Sequence, residues 1–495
     1  MATIPAEALT HLLHERFGLA RFRRGQLETL THLVEGKHTL LVMPTGSGKS
    51  LCYQLPAVLG DGVVLVISPL IALMQDQVRS LQQRGIPAAA LHSLLSAAEQ
   101  ETILRRMSAG LYRLVYVAPE RLGNASFCQA LPQTGVRLLA VDEAHCISQW
   151  GHDFRPAYLQ IYKTWEALGR PTVLAATATA TPWVQEDILR QLHLPSAERV
   201  VTGFNRPNLF FEVVHAPDEE AKLQHLRQAL PAQLDGSYII YVGTRRSAEE
   251  LADLITTSTP HEAAYYHGGL EPEDRQRVQA RFVQNRVRVL VATNAFGLGV
   301  DKANVRAVIH WDIPGSLEAY YQEAGRAGRD GRPARCLLLY SPEDRALQEW
   351  FINNDAPNAE GLERLHDLLG RAKRSKDGRL SIDEVALRRG SRLNEVKLRV
   401  GLSLLQGAGI FDDQGRNGGN LFFTLDGDTP LDAEGIMEKV ERFRAYKREL
   451  LAQMIAYAEG DGCRRRAVLD YFGDPDSAHV ARCCDNCERQ RPAAD

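Results

Sequence analysis

The chain has 495 residues, 44% apolar and 24% charged, with a formal net charge of −3. That length holds roughly three or four domains with ample core, and the near-neutral charge excludes a global positive field, so any nucleic-acid surface must be a local patch. Residues 1–15 lack the pattern of a secretory signal and no apolar run reaches the ~18 residues of a membrane span, so no membrane partner is expected.

In chain order, residues 9–17 carry a helical pattern and lead into Phe17-Gly18-Leu19-Ala20-Arg21-Phe22-Arg23-Arg24-Gly25-Gln26. A Gln just ahead of a phosphate loop can grip adenine, because its carboxamide both donates and accepts. An apolar run then turns through Met43-Pro44-Thr45-Gly46-Ser47-Gly48-Lys49-Ser50 into a helical segment. Such a loop aims successive backbone N–H groups at phosphate oxygens. Thr45, Gly46, Ser47 and Gly48 are the expected cradle, with Lys49 on the β/γ-phosphates and the Ser50 hydroxyl on Mg²⁺. Met43 stands where the pattern G-x-x-x-x-G-K-[ST] has its first Gly.

Short apolar runs at residues 63–68, 114–117, 138–141 and 173–176 alternate with helical segments, which predicts a doubly wound α/β domain with a parallel sheet. The run 138–141 leads straight into Asp142-Glu143-Ala144-His145. Asp142 suits Mg²⁺, and Glu143 suits orienting and deprotonating an attacking water. The segment 146–158 interleaves aromatics with polar groups. Trp150, His152 and Phe154 are expected against unpaired bases, and Arg155 against a phosphate.

Residues 43–54, Ser68-Pro69-Leu70-Ile71-Ala72-Leu73-Met74-Gln75-Asp76-Gln77 and residues 142–156 together resemble the RecQ family of superfamily 2 DNA helicases. The aromatic-rich loop is the discriminating piece; in that family it couples single-strand binding to ATP hydrolysis. The resemblance also implies adenine contacts from Arg23 and Gln26. Leu19 replaces the aromatic that usually stacks on adenine, which implies looser base selectivity.

Asn205-Arg206-Pro207-Asn208 reads as a hinge into a second α/β domain, with strands at residues 238–242, 263–266, 287–291 and 307–310. In Tyr321-Gln322-Glu323-Ala324-Gly325-Arg326-Ala327-Gly328-Arg329, the two Arg are three apart, a spacing that places them on one helical face. One positioned Arg can stabilise a transferring γ-phosphoryl group by about 10³–10⁵ in rate. The resemblance makes Arg329 that finger and lines the γ-phosphate with Arg326 and Gln322. It covers residues 9–345 and implies two RecA-like domains, an ATP-driven cleft and 3′ to 5′ polarity.

The last third departs from the family pattern. Residues 353–358 read as a linker and residues 371–376 as a basic run. A helix capped by Ser381, a second helix over residues 393–406 with Val396, Val400 and Leu404 on one stripe, and strands at 410–411 and 421–424 resemble a winged helix. Arg392, Asn394, Lys397 and Arg399 are its candidates for DNA phosphates. A long amphipathic helix over residues 434–458 leads to Cys463 and then Cys483, Cys484 and Cys487, and Zn²⁺ takes four N/S ligands. This resembles the family's zinc module, but its second Cys falls on Ala481, leaving Cys483 or His479 as the fourth ligand. The family usually places zinc before the winged helix; here the order is reversed.

The expected organisation is two RecA-like doubly wound domains, residues 1–205 and 206–345, then a winged-helix-like segment, 346–430, and a helical zinc module, 431–495. The resemblance implies an ATP-, Mg²⁺- and Zn²⁺-dependent helicase acting on single-stranded and branched DNA in repair or recombination. It further implies a monomer in a bacterial cytoplasm, associated with the nucleoid, with single-strand-binding and other repair proteins as partners. An RNA helicase, and a duplex translocase or annealing protein without strong unwinding, use the same motor residues.

Overall fold

Runs of Val, Ile, Leu and Ala buried on both faces build two sheet-bearing lobes. The computed structural model describes residues 4–122, 125–148, 155–297, 302–374, 379–417, 419–426, 429–475 and 483–490. In its first lobe the strands are β1 (Thr39–Val42), β2 (Val63–Ile67), β3 (Ala88–Leu91), β4 (Leu114–Val117), β5 (Val136–Asp142), β6 (Thr172–Thr177) and β7 (Glu198–Val201). They pair in the order β3-β4-β2-β5-β6-β1-β7, every pairing parallel. β1 and β5 therefore deliver the phosphate loop and Asp142 to the same carboxyl edge of the sheet, where open α/β sheets bind ligands.

The second lobe repeats the architecture. Its strands β8 (Leu209–His215), β9 (Ser237–Tyr241), β10 (Ala263–Tyr266), β11 (Val289–Ala292), β12 (Val305–His310) and β13 (Ala334–Tyr340) order as β10-β11-β9-β12-β13-β8, again all parallel. Both lobes are thus RecA-like doubly wound domains. The expected strands are present; β3, β7, β8 and β13 were not foreseen. Ala-rich β3 lacks β-branched residues, and β7 is an edge strand with alternate residues exposed.

Residues 359–425 fold as a winged helix: helix Ala359–Gly370, β14 (Lys373–Arg374), β15 (Leu380–Asp383), helices Glu384–Ser391 and Glu395–Gly407, then β16 (Phe411–Asn417) and β17 (Asn420–Leu425). Its sheet is antiparallel, ordered β14-β15-β17-β16. Two expectations are corrected here. Ser381 lies inside β15, and the helix cap is Asp383, whose Oδ1 accepts from Ala386 N–H at 2.7 Å. The stripe Val396–Val400–Leu404 is not the core face: Leu402 and Leu405 are buried while Val396 is 44% exposed. The winged-helix core closes around the second of these sets because the helix turns that face toward Leu362 and Leu365.

The stretch expected to be a linker is clamped. Helix Ala433–Glu459 sends Arg444 Nε and Lys447 Nζ to the Asp355 carboxylate at 3.2 and 2.7 Å, and Arg448 to Asn353 Oδ1 at 2.7 Å. Helix Arg464–Tyr471 follows, and Cys484 then pairs with Phe211 of β8, the free edge of the second sheet. One contiguous set of buried side chains runs from Leu40 and Val141 in the first lobe, through Phe204, Phe211 and Tyr320, to Met454, Phe472 and Cys484. No described helix is long and apolar enough to cross a membrane.

The second lobe also buries an ion pair. Lys222 Nζ donates to Asp344 Oδ1 at 2.6 Å and to Trp311 O at 2.7 Å, with both side chains under a tenth exposed. Burial pushes the Asp344 carboxyl above its ordinary range, against the pull of Lys222. Removing one partner of such a pair strands the other charge, at about 3–5 kcal/mol. Lys222→Met is therefore expected to lower the calorimetric melting temperature of this lobe by on the order of 10 °C; a shift within a degree would show that the pair adds no net stability.

Candidate nucleotide cleft and cysteine cluster

The phosphate loop follows β1 with an ordinary residue where the motif has its first Gly. Met43 is buried and its N–H extends the sheet to Thr177 O at 3.0 Å, so no left-handed backbone is needed there. The left-handed positions come later, at Gly46 (φ +79°) and Gly48 (φ +92°). Lys49 Nζ reaches back to Met43 O at 3.1 Å, and the Ser47 hydroxyl donates to Pro44 O. Ser50 precedes a single helical turn, Leu51–Gln54. Arg23 and Gln26 brace this loop directly. Arg23 Nη1 donates to Gly46 O at 2.6 Å, Gln26 Nε2 donates to Gly48 O at 2.9 Å, and Gln26 Oε1 accepts from Arg23 N–H.

Asp142 and Glu143 stand beside Lys49. Burial lowers the Lys49 ammonium from its ordinary range, opposed by the charges of Glu143 and Asp142 and reinforced by Arg329. Burial, then the neighbouring Glu143 charge, raises the Asp142 carboxyl to about 7. Tyr53 OH lies 3.4 Å from Asp142 Oδ2, and Tyr158 OH donates to Asp142 O at 2.9 Å. Glu143 sits in the left-handed region (φ 48°), an uncommon state for a residue with a Cβ. Its Oε2 is buried and makes no hydrogen bond, 3.5 Å from His145 Nδ1. The buried Asp142 carboxylate, with the partly buried Glu143 beside it, fits a divalent cation that Asp142 and the Ser50 hydroxyl would hold.

The second lobe closes the site. The Arg329 stem lies against the phosphate loop: a Cβ added at Gly46 would meet Arg329 Cγ at 3.0 Å. Thr45, Gly46, Ser47, Asn205, Arg206 and Arg329 line one cleft. The expectation that Arg326 and Arg329 share a helical face is corrected. Helix Leu317–Ala324 ends before them, and Gly328 (φ +55°) turns the chain between them. Arg326 is buried in its own lobe, its guanidinium donating to Gly297 O and packed flat on that glycine (φ +139°), where a Cβ would collide. Gln322 is on the last turns of the same helix and is half-buried.

Trp150, His152 and Phe154 lie outside the described residues. Arg155 is described, its N–H donating to Cys146 O at 2.9 Å and its Nη1 3.5 Å from Pro69 O. On the winged helix, Arg392 is a left-handed turn (φ 56°) between two helices. Lys397 Nζ is 3.5 Å from Asn354 Oδ1, and Asn394 Oδ1 is spent as an N-cap on Lys397 N–H at 2.9 Å.

The Sγ atoms of Cys463, Cys483, Cys484 and Cys487 all lie within 4.8 Å of one another. A Zn²⁺ tetrahedron with ~2.3 Å bonds needs sulfurs nearly 4 Å apart, so the four thiols fit it. Hydrogen bonds from the Cys483 thiol and from the N–H groups of Cys487 and Arg464 hold the Cys484 thiol well below its ordinary range, despite burial. His479 lies outside the described residues. Residues that sequence reasoning missed surround both centres: Tyr53 and Tyr158 at Asp142, and Arg206, Asn208 and Arg465 at the hinge. For Arg206 and Asn208, the signal was the polar cluster Asn205-Arg206-Pro207-Asn208, read only as a connection.

Comparison with known proteins agrees with this layout. Residues 23–188 match the DEAD/DEAH box helicase family, 221–331 the helicase conserved C-terminal domain, and 427–488 the RecQ zinc-binding domain. The chain is 38% identical to the probable ATP-dependent DNA helicase RecS of Bacillus subtilis (strain 168), over 97% of this chain and 92% of that one. It is 43% identical to the ATP-dependent DNA helicase RecQ of the same organism, over 72% of this chain and 61% of that one. The solved structure of the DUF1998 helicase MrfA bound to DNA matches with a TM-score of 0.58 and 19% identity, over 88% of this chain and 60% of that one, which speaks to fold alone.

The cluster makes its own prediction. The purified chain should carry about one Zn²⁺ by elemental analysis. Cys483→Ser and Cys487→Ser should lose it, and His479→Ala should keep it. Loss in His479→Ala with retention in Cys483→Ser would reverse the ligand set.

Proposed function

The chain belongs to the RecQ family of ATP-dependent DNA helicases, and we propose that it tracks 3′ to 5′ on single-stranded DNA and unwinds duplex and branched DNA in repair and recombination. The observation that carries the mechanism is the Arg329 stem lying on Gly46 across the cleft. ATP fills the space between the lobes with its phosphates on the Thr45–Ser50 backbone and its adenine toward Arg23 and Gln26. Lys49 neutralises the β/γ-phosphates. Glu143, whose Oε2 lies 3.5 Å from His145 Nδ1, takes the proton of the attacking water. Arg329 meets the charge that grows on the γ-phosphoryl group, and Arg326 and Gln322 hold the wall behind it. Ser50 and Asp142 would hold Mg²⁺, which would neutralise charge on the phosphate oxygens.

Binding of ATP draws the lobes together and loss of phosphate releases them, so loops on both walls step along one strand. Trp150, His152, Phe154 and Arg155 report the bound strand to Glu143, which stands a few residues upstream. Arg392 and Lys397 touch the duplex ahead from the winged helix. The zinc module, with four thiolate ligands, cross-links the edge of the second lobe. The family supports polarity and substrate class; the DNA itself points to the nucleoid as the site of action.

The test is strand displacement on duplexes carrying a 3′ or a 5′ single-stranded tail. The 3′-tailed substrate should be separated and the 5′-tailed one left intact, with Lys49→Ala inactive on both while still binding DNA. Turnover by Lys49→Ala would overturn the phosphate-loop assignment. DNA-stimulated hydrolysis without displacement on either substrate would favour a translocase or annealing protein.

A further inference from the structure

Arg329 does not sit on a regular helix, so something else must hold it at the phosphate loop. We propose that Arg206 is that positioning residue, and that Arg465 holds Arg206 in turn, so that the cysteine cluster is mechanically tied to the hydrolysis step. The inference rests on the assignment of Arg329 as the finger.

The geometry is a continuous chain of hydrogen bonds. Helix Leu317–Ala324 ends in a turn whose own N–H groups take its last carbonyls, Gly325 N–H donating to Tyr321 O, Arg326 N–H to Glu323 O and Ala327 N–H to Ala324 O. The Arg206 guanidinium binds the carbonyls just beyond that helix: Nη1 donates to Gly325 O at 3.1 Å, and Nη2 donates to Ala327 O at 2.9 Å and Gly328 O at 3.0 Å. Asn208 Nδ2 adds bonds to Gly328 O at 2.8 Å and Arg332 O at 2.9 Å. The loop that carries Arg326 and Arg329 is therefore held on both sides by two residues of the hinge. A planar fork with fixed donors suits three convergent carbonyls, and a lysine ammonium does not reproduce it.

Arg465 fixes the other end. Its Nη1 donates to Arg206 O at 2.6 Å and Asn205 Oδ1 at 3.0 Å, its Nη2 to Leu209 O, and its Nε lies 3.3 Å from Cys483 Sγ. Asp474 accepts the Phe204 N–H at 2.5 Å, and Phe472 stacks on Phe204 with ring centroids 4.3 Å apart. Arg465 is buried and is not one of the four thiols, so it can be changed with the metal ligands left in place. Neither Arg206 nor Arg465 is a catalytic residue in this account; both act through the position of Arg329.

Full-length variants test this with three readouts: ATP turnover at saturating single-stranded DNA, affinity for a fluorescent ATP analogue, and zinc content. Arg206→Lys is expected to lower kcat by about 10–100-fold, as a misplaced catalytic group does, with analogue affinity and zinc unchanged. Arg465→Lys should keep its zinc and lower kcat in the same way. Added to Arg329→Ala, Arg206→Lys should cost nothing further, because both act on one step. Normal kcat in Arg206→Lys, or a merely lower melting temperature with full turnover, overturns the inference. If Arg206→Lys does not fold, Asn208→Ala carries the same test, and normal kcat there overturns it too. Full turnover by Arg329→Ala would instead remove the finger assignment, whereas a slow Arg329→Ala beside a normal Arg206→Lys removes the positioning role alone.

Discussion

One contact between lobes organises this molecule: the aliphatic stem of Arg329 lying over Gly46. On the proposed assignment of Arg329, neither lobe holds a complete hydrolysis site. The first presents a loop of backbone N–H groups, one lysine and two carboxylates at the carboxyl edge of a parallel sheet. The second presents a guanidinium. A motor needs this division, because chemistry that requires both walls can happen only in the closed state, and closure can then be spent on moving a strand. The absence of a Cβ at Gly46 is what lets the two walls meet so closely.

The C-terminal third serves that meeting point. The zinc module does not hang from the motor as an appendage. Cys484 pairs with the edge strand of the second sheet, Phe472 stacks against Phe204, and Arg465 binds the hinge carbonyls. An edge strand otherwise exposes unpaired backbone groups, so covering it also removes a site for unwanted pairing. The winged helix sits between motor and zinc module in sequence. Its position is set by the clamp of Arg444, Lys447 and Arg448 on residues 353–355. The order of winged helix and then zinc module thus yields a braced arrangement.

Much of this was legible in the amino-acid order. Two parallel α/β lobes follow from alternating buried runs and helical segments, and the cysteine spacing pointed to a metal-binding cluster. What escaped was long-range. Three-residue spacing put Arg326 and Arg329 on one face only if the helix continued; Gly325 and Gly328 ended it. Ser381 looked like a helix cap because Ser commonly is one, yet pairing with β17 drew it into a strand and left Asp383 to cap. Val396 fell on a plausible apolar stripe, but the core formed around Leu402 and Leu405. Gln26 was read for hydrogen bonds to a base, and the structure shows its carboxamide bracing Gly48. The first of these is local glycine chemistry; the others depend on which neighbour arrives from elsewhere in the chain.

The most direct test of the central claim is a structure of the protein with ADP and aluminium fluoride, which imitates the transferring γ-phosphoryl group. The account predicts the Arg329 guanidinium within about 3 Å of the fluoride, with Lys49 on the same group from the opposite wall. Closed lobes around the analogue with Arg329 turned away from it would contradict the account.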